Sequence, residues 1–205
     1  MNGSNPYFDS TQPFTQVQGQ LPHRFQNGKM IFVTRRLYDA MPVEWRLQYA
    51  ENRSIFIATH PEPWSEETWK EYNNNFSSRF QNYLDNGNGS CVFKNPRVRK
   101  ILEEALLFYD EDEIYLHAYV IMPNHFHALL EVFDAEKGLD IINSITRFSA
   151  KKINELLSIK GRLWAHEPYD TVIRNEAHHH NVLNYIWNNP RDLAPGTFTL
   201  GGRAF

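Results

Sequence analysis

The sequence predicts an α+β fold, a ferredoxin-like antiparallel sheet with helices on one face and helical insertions. The predicted elements follow the order strand, helices, hairpin, helix, strand and helix, which is compatible with a ferredoxin-like unit that carries a terminal helix. Two runs rich in β-branched, aromatic and aliphatic residues flank the turn signal Met122-Pro123-Asn124, so residues 115–132 should form a β-hairpin. The length of 205 residues suits one sizeable core.

The N-terminal part of the chain divides into an arm and a first strand. Residues 1–27 are rich in Asn, Gln, Ser, Pro and Gly and show no periodicity. This composition predicts a flexible N-terminal arm ahead of a single domain over residues 28–205. Residues 29–37 are rich in β-formers and should make the first strand.

Helical signals fill the region between the first strand and the hairpin. Pro42 can open a short helix over residues 43–48, because proline is tolerated in the first helical turn. Ser65 is a candidate N-cap for a second helix, and Asn95 followed by Pro96 begins a third. Aromatic and aliphatic side chains recur at helical spacing in the second helix and predict a buried stripe: Trp69, Tyr72, Phe76, Phe80, Tyr83 and Leu84.

A long helix, a possible fourth strand and a last helix follow the hairpin. Residues 138–159 carry aliphatic side chains at helical spacing. Residues 161–173 are irregular and extended and could supply the fourth strand. Asn175 is a plausible N-cap for a last helix over residues 176–189, which Pro190 must end because its ring clashes with a continuing turn.

Composition limits the classes of protein that this chain can belong to. The net charge of −3 and the pI of about 6.3 argue against a protein that coats nucleic acid non-specifically, although a local basic surface is compatible with both. No apolar run approaches the length of a membrane span, and we expect a cytoplasmic protein. The single cysteine, Cys91, excludes a cysteine-based metal cluster, so a metal site must use histidine, carboxylate or amide ligands.

The second strand of the hairpin presents two histidines on one face. Because side chains alternate along a strand, His125, His127, Leu129 and Glu131 share a face, and the two imidazoles lie about 7 Å apart along the strand. This spacing suits two ligands of one metal ion. An alternative is that both histidines are polar residues on the solvated face of a sheet.

On the last helix, Tyr185 and Asn189 point the same way because they are one turn apart. A helical tyrosine is often a half-buried packing residue, and an asparagine before a proline commonly ends a helix. The alternative to these two structural interpretations is that Tyr185 and Asn189 both belong to a functional site.

Three motifs in a fixed order resemble the REP-associated tyrosine transposases, which are single-tyrosine transposases of the His-hydrophobic-His nuclease superfamily. The resemblance covers about residues 29–192. Its motifs are Met122-Pro123-Asn124-His125-Phe126-His127, then Trp164 with Asp170 and Ile173-Arg174, and finally Tyr185-Ile186-Trp187-Asn188-Asn189-Pro190.

The resemblance implies a ferredoxin-like fold whose C-terminal helix carries a catalytic tyrosine. It implies that His125 and His127 bind Mg²⁺ or Mn²⁺, that Asn189 is the third metal ligand and that Tyr185 is the nucleophile. Attack by the tyrosine would leave the 5′ end of DNA joined to the protein and release a 3′ hydroxyl, without a nucleotide cofactor.

The resemblance also implies a substrate, single-stranded DNA near imperfect hairpins called repetitive extragenic palindromes, and it favours a monomer over a homodimer. Candidate phosphate contacts are Arg35, Arg36, Arg147, Lys151 and Lys152. Two alternatives remain open. One is a domesticated protein that binds the hairpin without cleaving it, and the other is a metal-dependent hydrolase that activates water and needs no tyrosine.

Overall fold

The computed structural model describes residues 5–19, 22–61, 63–166 and 168–203. The strands are β1 (Thr15–Gln18), β2 (Pro22–Phe25), β3 (Lys29–Arg36), β4 (Ile114–Ile121), β5 (His125–Val132), β6 (Tyr169–Val172) and β7 (Thr199–Gly201). The α-helices are α1 (Val43–Thr59), α2 (Glu66–Tyr72), α3 (Ser78–Asp85), α4 (Pro96–Leu107), α5 (Gly138–Leu157) and α6 (Glu176–Asn188), and a π-helical segment, Asn73–Ser77, joins α2 to α3. None of the helices in these ranges has both the length and the apolar character needed to cross a membrane.

Five strands form an antiparallel sheet in the order β6-β3-β5-β4-β7. The hairpin β4–β5 places β5 next to β3, and β6 pairs with the other edge of β3. This order is that of a split βαβ unit followed by a second crossover, which is the ferredoxin-like arrangement. The predicted fold class is therefore confirmed, and β7 extends the sheet beyond β4.

Side-chain caps explain three of the helix starts that the sequence predicted. Ser65 accepts a hydrogen bond from the backbone N–H of Thr68 at the start of α2. Asn95 caps α4, and Asn175 caps α6 by accepting from the N–H of His178 at 2.8 Å. Helix α1 runs to Thr59, beyond the predicted residues 43–48. Within the described ranges Phe56 is the one buried residue of this helix, so α1 lacks a continuous apolar stripe that would mark its full length in the sequence.

Helices α4 and α5 cover one face of the sheet. Phe126, Ala128 and Leu130 of β5 point to this face and pack in the main core with Leu102 of α4 and Ile145 of α5. The alternation predicted for the second hairpin strand is present, since the apolar side chains of β5 lie under helices.

The terminal helix α6 covers the opposite face. Phe32 of β3 and Leu129 of β5 pack there against Val182 and Ile186 of α6. The structure therefore adds to the predicted architecture, because helices lie on both faces and the histidine face is enclosed.

The N-terminal residues form a β-hairpin, β1–β2, where the sequence analysis assigned no element. Phe25 of β2 is fully buried in the main core, and the N–H of Phe8 donates to the carbonyl oxygen of Ile173 at 2.7 Å. Strands of four residues leave too little alternation to recognise in a polar sequence. The division of the chain at residue 28 stays a prediction, and residues 1–4, 20 and 21 of the predicted arm lie outside the described residues.

Candidate metal and tyrosine site

His125 and His127 lie at the start of β5, beneath α6, and both side chains are fully buried. Their Nε2 atoms are 2.9 Å apart, and their ring centroids are 4.6 Å apart. The two imidazoles therefore do not lie on a solvated face, and neighbouring ring nitrogens in an enclosed space are an arrangement that suits two ligands of one metal ion.

Asn124 orients the ring of His125. Its Oδ1 lies 2.7 Å from His125 Nδ1, and its Nδ2 donates to the carbonyl oxygens of Leu84 and Asn88 at 3.2 and 2.9 Å. Because an amide nitrogen only donates, these two bonds identify Oδ1 as the acceptor. His125 Nδ1 therefore carries the proton, and Nε2 keeps its lone pair for another partner.

Strand β3 holds the second ring. Thr34 Oγ1 lies 2.8 Å from His127 Nδ1, and the ring of Phe32 stacks on the imidazole with centroids 5.3 Å apart. The strand register places Thr34 directly opposite His127, so pairing of β3 with β5 creates this contact.

Burial lowers the pKa of both imidazoles. For His125 the nearby carboxylate of Asp85 partly opposes the effect, whereas for His127 the neighbouring His125 adds to it and the pKa lies well below its usual value. Both rings are therefore neutral near pH 7, and a neutral imidazole is the form that ligates a metal ion.

Asp85, at the end of α3, completes a group of three possible ligands. One atom of each of Asp85, His125 and His127 lies within 4.8 Å of the others. Asp85 Oδ1 is 3.5 Å from His125 Nε2, while Oδ2 receives a hydrogen bond from the hydroxyl of Tyr185 at 3.4 Å. The two oxygens of one carboxylate thus face the histidines and the tyrosine respectively.

Tyr185 reaches the same centre from α6. Its hydroxyl lies 3.3 Å from His127 Nε2 and 3.2 Å from Gln81 Oε1. Burial, followed by the negative charge of Asp85, raises the pKa of Tyr185 above its usual value. The phenol is therefore protonated near neutral pH, and its proton points at acceptor atoms.

Asn189 lies one turn after Tyr185, as its spacing predicted, and its Nδ2 donates to Asp85 Oδ1 at 3.2 Å. Its Oδ1 is buried and has no hydrogen-bond partner within the described ranges. A buried carbonyl oxygen of this kind costs free energy unless a partner is supplied, and a cation is one such partner.

The donor set fits a divalent cation. It offers two neutral imidazole nitrogens, the carboxylate oxygen of Asp85 and the unpartnered amide oxygen of Asn189. Nitrogen and oxygen donors together suit Mn²⁺ and related cations, and oxygen donors suit Mg²⁺.

The structure brings together His125, His127, Tyr185 and Asn189, but it separates the five predicted DNA contacts. Arg35 is 3% exposed and donates to Thr146 Oγ1 of α5 at 3.3 Å, so its guanidinium is not presented at the surface. Arg36 is half-buried on the histidine face. The remaining three lie exposed on α5, which covers the face opposite the histidines: Arg147, Lys151 and Lys152.

Sequence analysis missed four side chains that support the site: Thr34, Gln81, Asp85 and Asn124. Thr34 has a usable signal, because strand alternation puts it on the face of β3 that looks toward His127. Asp85 lies in a stretch, residues 83–89, that also resembles the family, but no local pattern assigns it a role, since that role depends on α3 passing beside the turn between β4 and β5.

Parts of this chain are similar to known proteins. Residues 90–189 match the family model described as "Transposase IS200 like". This range includes both histidines, Tyr185 and Asn189, and it excludes Asp85.

An uncharacterized protein of Haemophilus influenzae is 26% identical over 118 residues, which are 45% of this chain and 62% of that protein. The match thus spans less than two thirds of the relative. The solved structure of a REP-associated tyrosine transposase bound to a REP hairpin is 17% identical, with a TM-score of 0.43 over 82% of this chain and 69% of that one.

Proposed function

We propose that the chain is an IS200-like transposase, the family whose model matches residues 90–189, and that it nicks single-stranded DNA and rejoins the cut strand through a tyrosine. The observation that carries the proposal is the position of the Tyr185 hydroxyl, 3.3 Å from His127 Nε2 and 3.4 Å from Asp85 Oδ2. A nucleophile, an anionic proton acceptor and a ligand pair converge on one small space.

In the proposed step the Tyr185 oxygen attacks the phosphorus of a backbone phosphate. An O–P bond to tyrosine forms, the P–O3′ bond breaks, and the departing 3′ oxygen takes a proton from solvent water to become a hydroxyl. Asp85 Oδ2 receives the phenolic proton, because it is the anionic acceptor already in contact with the hydroxyl. A 3′ hydroxyl of another strand can reverse the reaction, because the phosphotyrosine ester preserves the bond that was broken.

The residues that would hold Mg²⁺ or Mn²⁺ are His125, His127, Asp85 and Asn189. When bound, the cation supplies a positive charge that polarises the scissile phosphate and stabilises the charge added by the nucleophile. The protein keeps both imidazoles neutral by burial and fixes the His125 tautomer through Asn124, so the lone pairs face the site in advance.

We further propose that the substrate is single-stranded DNA that carries a hairpin, as the motif resemblance implies. The half-buried Tyr185 supports a single strand, because an unpaired and flexible backbone can enter an enclosed site more readily than a duplex. The monomeric state stays a prediction.

The test is incubation with Mg²⁺ or Mn²⁺ and labelled single-stranded DNA that contains the palindromes flanking the gene, followed by a denaturing gel. Wild type should give a slowly migrating covalent adduct, and Tyr185→Phe should give none. Cleavage by Tyr185→Phe without an adduct would instead identify a water-using hydrolase. Binding without cleavage in the wild type would identify a hairpin-binding protein that has lost the reaction.

A further inference from the structure

A second feature of the histidine face is a cleft of about 420 Å³ between α1 and the end of β3. This volume lies in the range of small-ligand sites, which is about 300–1,000 Å³. The side chains that line it include Thr34, Arg36, Trp45, Arg46, Tyr49 and Arg53.

The three Asp, Glu, Lys or Arg residues among the described residues that line the cleft are all arginines. Arg36 comes from β3, and Arg46 and Arg53 come from α1, whereas no Asp or Glu is among the described residues that line the cleft. Burial, and next the charge of Arg46, lowers the pKa of Arg36 to about 10. Guanidinium groups that repel each other in a half-buried space are stabilised by an anion between them.

Two residues that line the cleft each carry a buried polar atom without a partner among the described residues. Arg46 Nε and the hydroxyl of Tyr49 are buried, and neither has a hydrogen-bond partner in the part of the chain that the structure describes. Arg46 Nε–H can only donate and the Tyr49 hydroxyl can donate, so a ligand with acceptor oxygens satisfies both. A phosphate does this, and the guanidinium fork matches its geometry.

The cleft adjoins the candidate site through β3. Thr34 lines the cleft and also contacts His127 Nδ1 at 2.8 Å. Arg36, two residues further along the same face, is paired with His125 across the β3–β5 ladder. A DNA strand that places one phosphate at Tyr185 would therefore carry a nearby phosphate past the arginines.

We propose that this arginine cleft binds a backbone phosphate of the single-stranded substrate next to the phosphate that is cut. Arg46 and Tyr49 are its direct donors, and Arg36 and Arg53 supply the surrounding positive charge. This inference rests on the proposed function, since it assigns a substrate contact beside the same site.

The experiment measures binding of the labelled hairpin oligonucleotide by fluorescence anisotropy in EDTA, over a series of salt concentrations. Each phosphate contact on a single strand contributes about 0.7 to the slope of log K against log salt. Arg46→Gln should therefore lower the slope by about 0.7 and weaken binding. The matched control is Arg97→Gln, which removes the same charge from an exposed position on α4, across the sheet, and should keep the wild-type slope.

Oligonucleotides with a neutral methylphosphonate at one position near the nick locate the contact. A methylphosphonate at one of these positions should weaken DNA binding by the wild type. The same oligonucleotide should bind Arg46→Gln no more weakly than the unmodified one does. Tyr49→Phe removes only a hydroxyl, so it should weaken DNA binding without changing the slope of log K against log salt. This variant tests the cleft even if Arg46→Gln fails to fold. Equal slopes and affinities for wild type, Arg46→Gln and Tyr49→Phe would overturn the inference.

The adduct gel separates this result from the proposed function. If wild type forms the tyrosine adduct while Arg46 has no effect on binding, the cleft assignment is wrong and the nicking proposal stands. If no adduct forms while the Arg46-dependent slope is present, the phosphate contact stands and the nicking proposal is wrong.

Discussion

The amide of Asn124 holds His125 in one tautomer, because Asn124 Nδ2 is committed to the carbonyl oxygens of Leu84 and Asn88 while Oδ1 accepts from His125 Nδ1. The side chain is fully buried. It therefore links the end of α3, which carries Asp85, to the start of β5, which carries the histidines. One residue of the hairpin turn thus positions two separate parts of the candidate metal site.

We predict that Asn124→Ala weakens Mn²⁺ binding by about 10–100-fold, which is the usual effect of losing a hydrogen bond to a metal-ligating histidine. It should also lower the free energy of unfolding by about 1–3 kcal/mol, because buried polar groups lose their partner. Isothermal titration with Mn²⁺ and urea unfolding measure the two effects. Asn88→Ala keeps the Asn88 carbonyl and is the matched control, and equal Mn²⁺ affinity in all three proteins would contradict the prediction.

Asp85→Asn should lower the pKa of Tyr185, because the carboxylate charge is one of the causes that raise it after burial. Adduct formation should nevertheless fall by about 100-fold or more, since the proton acceptor for Tyr185 is lost. The pKa of Tyr185 is measured from the phenolate absorbance of Asp85→Asn, after subtraction of the absorbance of the double variant that also carries Tyr185→Phe. The rate of adduct formation is measured on a timed denaturing gel. Asp39→Asn, in the 3-10 helix Tyr38–Ala40 after β3, is the control. An unchanged adduct rate in Asp85→Asn would show that Asp85 accepts no proton.

Local periodicity was enough to predict the elements that carry the motif residues. The alternation in β5 and the one-turn spacing of Tyr185 and Asn189 each depend on a few neighbouring residues, and both are present in the structure. The short strand β7 escaped prediction, because three residues show no recognisable pattern. Asp85 escaped it because its contact with His125 joins residues that are far apart in the sequence.

The predicted DNA contacts illustrate a different limit. Arg35 and Arg36 were grouped by charge, yet neighbouring residues of a strand point to opposite faces. Only one of the two could lie on the histidine face, and the structure identifies it as Arg36, which pairs with His125. Which face each helix covers then decides which basic residues lie near the site, and this depends on tertiary packing.

The stability of the protein should decline in acid partly through His117 of β4. Burial, followed by the charge of His179, lowers the pKa of His117 to about 4, with Asp110 opposing and Arg203 adding to the effect. Glu131 Oε2 also lies 3.5 Å from His117 Nε2. Because the unfolded chain has the higher pKa of 6.5, it binds the proton first as pH falls.

The contribution of His117 to stability is therefore complete above pH 6.5 and is lost as the pH falls toward about 4. The full difference corresponds to about 3 kcal/mol at about 1.4 kcal/mol per pH unit. His117→Gln should reduce the loss of unfolding free energy between neutral and acidic pH, measured by urea unfolding. A pH profile of His117→Gln that is identical to that of the wild type would contradict the assignment.

Contact between Phe25 and Gly138 tests whether the N-terminal hairpin belongs to the folded core. A Cβ added at Gly138 would overlap Phe25 Cδ1, and Phe25 is fully buried. Gly138→Ala should therefore cost about 1–3 kcal/mol through overpacking. Phe25→Ala should cost about 3–5 kcal/mol through the cavity it leaves.

In the double variant Phe25→Ala/Gly138→Ala, the methyl group added at residue 138 no longer meets the Phe25 ring. Gly138→Ala should therefore hardly change the free energy of unfolding when Phe25→Ala is already present. The resulting coupling of about 1–3 kcal/mol is measured by urea unfolding of the four proteins. Phe148→Ala, at an exposed site on α5, is the control background in which Gly138→Ala keeps its full cost. Additive effects of Phe25→Ala and Gly138→Ala would support a flexible arm that ends near residue 27, whereas coupling places the start of the folded unit before β3.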